Sequence, residues 1–185
     1  MLDGTYPTNA DDTDNLTGVT GASITPDTKT YTGFTAPAKQ TATIAADGST
    51  VVIYKYTRNT YTVSFDVQGH GTAPANITAK YDSTISAPTA PTVVGYTFAG
   101  WYKESGCTNV WNFGTDKVTG NTTLYAKWTT NTHNVIFNSN GHGTAPSGYT
   151  NQAYGSKFNN PGTITGVTGY THDGNWYTDS ECKTA

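Results

Sequence analysis

Two histidines stand in the same six-residue frame, GHGTAP, at Gly69–Pro74 and Gly141–Pro146. A neutral imidazole can ligate a metal or accept a proton, so His70 and His142 are the first chemistry to weigh. Neither is accompanied by H-x-x-x-H spacing or by a Ser–His–Asp arrangement. Each lies between two glycines, which permit positive φ, and the frame therefore reads as a turn used twice. Three aspartates, Asp11, Asp12 and Asp14, cluster in NADDTDN, and clustered oxygens can hold calcium. The stretch lacks the glycine and the distal glutamate of an EF-hand loop, and a solvated acidic linker is expected.

Lys55 and Lys127 recur at matching strand positions and are the lysines a Lys–Asn crosslink inside a β domain would use. No diagnostic acidic partner stands near them, and lysines with their stems on a sheet are the expectation. Tyr54, Tyr102 and Tyr177 could stack on sugars, or could pack on a sheet face. Cys107 has no base nearby in sequence. It lies in WYKESGCTNVW and Cys182 lies in WYTDSECKTA, so each cysteine belongs to its own copy of one pattern and two unpaired thiols are expected. No pair of carboxylates recurs in both copies. Hydrolytic catalysis, a cofactor and a metal are accordingly not expected, and the chain reads as non-enzymatic.

The elements that position these residues follow from composition and repetition. Charged residues make up 12% of the 185, aromatics another 12%, and there are 20 glycines. Thr and Tyr favour half-buried strands, while Gly, Pro and Asn supply turns, so the chain is expected to be β-rich. A net charge of -3 offers no basic patch for phosphates, which excludes nucleic acid as an expected partner. No apolar run approaches the roughly 18 residues that would span a bilayer. No membrane insertion is expected here, and any export signal or wall anchor is expected to lie outside this segment.

Gly69 and Gly141, Phe65 and Phe137, and Pro74 and Pro146 are each 72 positions apart. The match continues through Gly95-Tyr96 against Gly169-Tyr170 and Trp101-Tyr102 against Trp176-Tyr177. DGSTVVIYKYTRNTYTV (Asp47–Val63) also lies over TGNTTLYAKWTTNTHNV (Thr119–Val135) without a gap. The organisation read from this is a flexible lead-in at 1–15, a divergent N-terminal β module at 16–58, and a complete repeat module at 59–130. A second repeat module at 131–185 stops before its closing strand. Its open edge is expected to take part in strand exchange.

Within the complete module, Tyr61, Val63 and Phe65 alternate with Thr62 and Ser64 as a strand. Tyr81–Ala87 is expected to form one or two helical turns ended by Pro88 and Pro91, making the module a β-rich α+β unit. The core is expected from Phe65, Tyr96, Phe98, Trp101, Trp111, Phe113 and Trp128, with Phe137, Tyr170 and Trp176 in the second copy. Thr-Arg-Asn-Thr and Thr-Thr-Asn-Thr join closing to opening strands, too short for a floppy tether, so an elongated array is expected.

YTVSFDVQGHGTAP, GYTFAGWY, WNF and TLYAKW, in this order and spacing, resemble the Listeria–Bacteroides repeat of internalin-like surface proteins. The resemblance covers Asn59–Thr130 nearly end to end and Asn131–Ala185 as far as that copy runs. It implies tandem small β-grasp-like (ubiquitin-like) modules with a short helix. It also implies use as a stalk on an extracellular, Gram-positive cell surface, in an adhesin-like protein whose partner is a surface protein or a glycan of a host or neighbouring cell. The family has no catalytic residues to carry over. GYTHDGNWY departs from GYTFAGWY by one extra residue and a polar His172. The N-terminal stretch TKTYTGFTAPAKQTATIAADGSTVV resembles small mucin-binding-like β modules, which implies a carbohydrate- or mucin-binding alternative using exposed aromatics.

Overall fold

The computed structural model describes residues 9–164, 168–179 and 181–183. Among them lie ten strands and no helix. Four come from the N-terminal segment: β1 (Ser23–Ile24), β2 (Phe34–Thr35), β3 (Ala42–Thr43) and β4 (Thr57–Arg58). Four follow in the complete repeat: β5 (Thr60–Asp66), β6 (Ile77–Lys80), β7 (Tyr96–Tyr102) and β8 (Thr122–Thr130). The last two are β9 (Thr132–Val135) and β10 (Tyr149–Ala153). Contacts gather these into two compact units, Met1–Pro91 with Gly100–Lys127, and Thr92–Ala99 with Trp128–Ala185.

In the first unit, β1 pairs with β3 and β2 with β4, both antiparallel. The sheet of the repeat has the order β6-β5-β8-β7. Its centre is a parallel pair, with Val63 opposite Thr122 and Phe65 opposite Leu124. A parallel pair needs a long crossover, supplied here by everything between Val67 and Asn121. The alternation of TYTVSFD does what its period predicts: Val63 and Phe65 are buried while Thr60, Thr62 and Asp66 face solvent.

Val63, Val118 and Leu124 have no exposed surface, and they form the centre of the core. Burying each such side chain stabilises the fold by about 1.5–3 kcal/mol. Phe65 meets Trp101 edge-on, with ring centroids 4.8 Å apart, and Trp111, Ile85 and Cys107 are buried as well. Phe113 is half-buried.

The helical turns expected at Tyr81–Ala87 are not formed, and the α part of the α+β expectation is corrected to all-β. Asp82 has φ 58, outside the helical region. Its N–H donates to Val118 O at 2.7 Å, and Val118 N–H donates back to Ser83 O at 2.9 Å. These two bonds hold the segment to Val118 as a bridge, with β-branched Ile85 turned into the core. Propensity and capping residues alone cannot outweigh that pairing.

In the second unit, β9 and β10 form an antiparallel ribbon. Phe137 meets Trp176 at 4.8 Å and 61°, repeating the Phe65–Trp101 pair at 4.8 Å and 62°. Phe98 meets Trp128 at 5.5 Å. All four of these residues of the second unit, and Tyr96, are half-buried. Tyr170 departs from the core expectation: it is 63% exposed, its ring resting 4.0 Å from that of His142.

Candidate functional site: a repeated junction

The two histidine frames are turns of one geometry. Gln68 and Gly69 have φ 52 and 82, and Asn140 and Gly141 have φ 56 and 83. His70 N–H closes the first turn on Val67 O at 3.0 Å, and His142 N–H closes the second on Ser139 O at 3.1 Å. Asp66 Oδ1 accepts from Gln68 N–H, and Asn138 Oδ1 accepts from Asn140 N–H, as Asx residues do at turns. Two successive positive φ values are what a tight hairpin turn requires, and the backbone accounts for the frame. Among the described residues, no three His, Cys, Asp or Glu side chains gather to hold a metal.

The remaining candidates are each engaged locally. Asp12 and Asp14 both bind Lys29 Nζ at 2.9 Å, which ties that part of the expected lead-in to the N-terminal module. Tyr31 Oη donates to Asp12, and this bond, followed by Lys29, holds the Asp12 carboxyl below its ordinary value. Tyr54 Oη donates to Pro26 O at 2.7 Å and accepts from Gln40 N–H at 3.1 Å. Lys127 Nζ sits 5.0 Å over the Tyr102 ring and donates to Cys107 O at 3.2 Å. Tyr177 Oη donates to Asp173 at 2.6 Å, which pushes the Tyr177 phenol above its ordinary value. Lys55 is exposed. Cys107 is a buried free thiol and Cys182 an exposed one, both in left-handed turns, with φ 50 and 55.

The residues that the structure does bring together twice are others. In the first unit, Asn59 is the single residue between β4 and β5. Its N–H donates to Gly33 O at 2.9 Å, its carbonyl accepts from Tyr81 N–H at 2.8 Å, and its Oδ1 accepts from Thr35 Oγ1 at 2.6 Å. In the second unit, Asn131 is the single residue between β8 and β9. Its N–H donates to Gly95 O at 2.8 Å, its carbonyl accepts from Tyr154 N–H at 2.8 Å, and its Oδ1 accepts from Thr97 Oγ1 at 2.6 Å. Partner for partner, the two asparagines make the same three bonds.

The ring contacts repeat as well. Phe34 meets Tyr81 at 6.1 Å and 66°, and Tyr96 meets Tyr154 at 6.0 Å and 70°. A Cβ on Gly33 would fall 2.1 Å from the Tyr81 ring, and one on Gly95 would fall 2.0 Å from the Tyr154 ring. Both glycines have positive φ, 78 and 84, so conformation and space alike demand glycine. The threonine hydroxyl needs an acceptor on a side chain short enough to reach it while its own backbone continues the strands. Asparagine meets both requirements without adding a charge. In the first junction the buried Arg58 adds a bond from Nη2 to Tyr81 O.

Each junction thus joins three separated pieces: a Gly-aromatic-Thr turn, the asparagine between strands, and a tyrosine 22 or 23 positions further on. The sequence pattern aligns Asn59 with Asn131 but gives no role to Gly33, Thr35, Tyr81, Thr97 or Tyr154. The recurrence of GFT at 33–35, GYT at 95–97 and GYT at 169–171 is the signal that could have found them.

The chain is 44% identical over 92 residues to a glycine-rich protein of Evansella cellulosilytica whose name describes it as a membrane protein. It is 38% identical over 110 residues to a second protein of that organism whose name describes it as a membrane protein, and 42% identical over 82 residues to internalin H of Listeria monocytogenes. These alignments cover 49%, 58% and 44% of this chain. They cover only 10%, 16% and 14% of the three relatives. The model of the Listeria-Bacteroides repeat domain matches residues 61–127 and 133–185, well over half of the chain. The turn and the Phe–Trp pair that recur in the structure lie in those segments, and the chain belongs to the Listeria-Bacteroides repeat domain family.

Proposed function

We propose that the chain is a non-enzymatic spacer and interaction region of a bacterial cell-surface protein, in which the repeated junction sets how successive modules are joined. The observation that carries this reading is the duplicated asparagine: Asn59 and Asn131 each commit N–H and Oδ1 to the preceding module of the sequence and C=O to their own, at matching distances. A chain that spends its most specific polar geometry on joining modules is built for spacing rather than catalysis. Kinship with internalin H supports the surface setting, and the sheet order β6-β5-β8-β7 around a parallel pair supports a β-grasp-like module without its helix. The extracellular, cell-wall-linked and Gram-positive setting belongs to the same reading, as does a surface protein or glycan of another cell as the partner.

Brief protease treatment of intact cells of the source organism tests it. Release of peptides from this chain before any cytoplasmic marker is expected; peptides found only after lysis overturn the surface reading. A glycan and mucin array with the isolated chain addresses the interaction. Binding that is lost on Tyr102→Ala or Tyr177→Ala would move the assignment to a carbohydrate-binding module.

A further inference from the structure

Among the described residues, the third Gly-aromatic-Thr turn shares the left-handed glycine of the first two and shows none of their junction contacts. Gly169 has φ 84, against 78 at Gly33 and 84 at Gly95. A Cβ on Gly169 would meet nothing within 4 Å, whereas at Gly33 and Gly95 the space is filled by a tyrosine ring. Gly95 is buried and Gly33 half-buried, while Gly169, Tyr170 and Thr171 are all exposed. Phe34 and Tyr96, the aromatic members of the occupied turns, are half-buried; Tyr170 is 63% exposed.

From this we infer that Gly169-Tyr170-Thr171 is the acceptor half of a further junction, and that its occupant is the asparagine-and-tyrosine face which opens another module of this repeat family. The inference rests on the spacer reading of the same junction. The chemistry of the occupant is set by the two filled examples. An amide N–H must reach Gly169 O, a carboxamide oxygen must accept from Thr171 Oγ1, and a tyrosine ring must lie over Gly169 and edge-on to Tyr170. A glycan can supply donors and acceptors but not the aromatic ring that meets its partner edge-on in both occupied junctions. Gly169 already holds the left-handed φ of the occupied turns, so docking need not reset it. Tyr170 is also held, its ring against His142.

The test uses the whole chain extended by a second copy of its own residues 111–185 after Ala185. That is in register, because the stretch following Cys182 corresponds to the stretch following Cys107. Hydrogen exchange of residues 169–171 is compared in the original and extended chains, at about tenfold slower in the extended one if the junction forms. Replacing asparagine by alanine at the appended copy of Asn131 is expected to restore the fast exchange while leaving the appended β9–β10 ribbon protected. Equal exchange at 169–171 in both chains overturns the inference, as does protection that survives the asparagine replacement. The amides of Asn131 and Tyr154, read in the same sample, separate the two levels. If they are protected while 169–171 are not, this inference alone falls; if they too exchange freely, the ordered-junction reading falls with it.

Discussion

Tyr154 lies with its ring against the α-carbon of Gly95, so close that a Cβ there would fall 2.0 Å from Cδ1. Tyr81 stands in the same relation to Gly33 at 2.1 Å. A glycine required by its neighbour, rather than only by its own φ, makes a distinctive experiment. Gly95→Ala is expected to cost about 2 kcal/mol or more, from both the left-handed backbone and the displaced ring. Gly48→Ala is the control, since Gly48 has φ 74 and nothing within 4 Å of the added carbon. It should cost only the conformational part, about 1 kcal/mol. Urea unfolding of both variants measures the difference; equal losses would remove the ring contact as a determinant.

The Thr97–Asn131 bond at 2.6 Å gives a second prediction. Thr97→Val and Asn131→Ala should each cost about 0.5–1.5 kcal/mol. The double variant should lose less than the two together, because the second change has no bond left to break. Simple additivity in a double-mutant cycle would show the bond to be incidental.

Core burial differs between the copies, and so should sensitivity. Leu124→Ala empties a site with no exposed surface and is expected to cost about 3 kcal/mol, read from denaturation followed by tryptophan fluorescence. Phe137→Ala removes a larger side chain, yet Phe137 is half-buried. A smaller loss is expected there than for Phe65→Ala, whose ring is 7% exposed.

Acid should loosen the Lys103–Asp116 loop. Asp116 accepts from Asn112 N–H at 2.8 Å and from Lys103 Nζ at 2.9 Å, and these hold its carboxyl below the ordinary 3.8. A depressed carboxyl contributes stability that is fully present above 3.8 and lost as pH falls through its lower folded value. Unfolding of the parent should therefore steepen below about pH 4, and Asp116→Asn should be less stable at neutral pH but less sensitive to acid. Identical acid profiles for the two proteins would contradict this.

Much of the local structure was legible because it is decided locally. The alternation of Tyr61, Val63 and Phe65 places a strand, since side chains of a strand point to opposite faces in turn. The GHGTAP frames are turns because Gly69 and Gly141 sit where φ is positive and an Asx oxygen three residues back caps each turn. The Phe65–Trp101 pair and its counterpart Phe137–Trp176 stand at matching positions of the two copies, offset by 72 and 75 residues because the second copy carries small insertions. The helix expected at Tyr81–Ala87 does not form, for the opposite reason. Its capping residues and prolines are local signals, but Val118, far along the chain, claims the backbone of Asp82 and Ser83.

Repetition, the alternating strand at Tyr61–Phe65 with the turn after it, and family membership are matters the amino-acid sequence determines by itself, because each is written in neighbouring residues or in their recurrence. The junction is not written that way. Gly33, Asn59 and Tyr81, or Gly95, Asn131 and Tyr154, become one object only when three distant segments converge and a ring finds the one position without a Cβ. Tertiary structure also decided that Tyr170, third of its kind by sequence, stands open to solvent, because burial depends on what else reaches the turn and not on the turn's own residues.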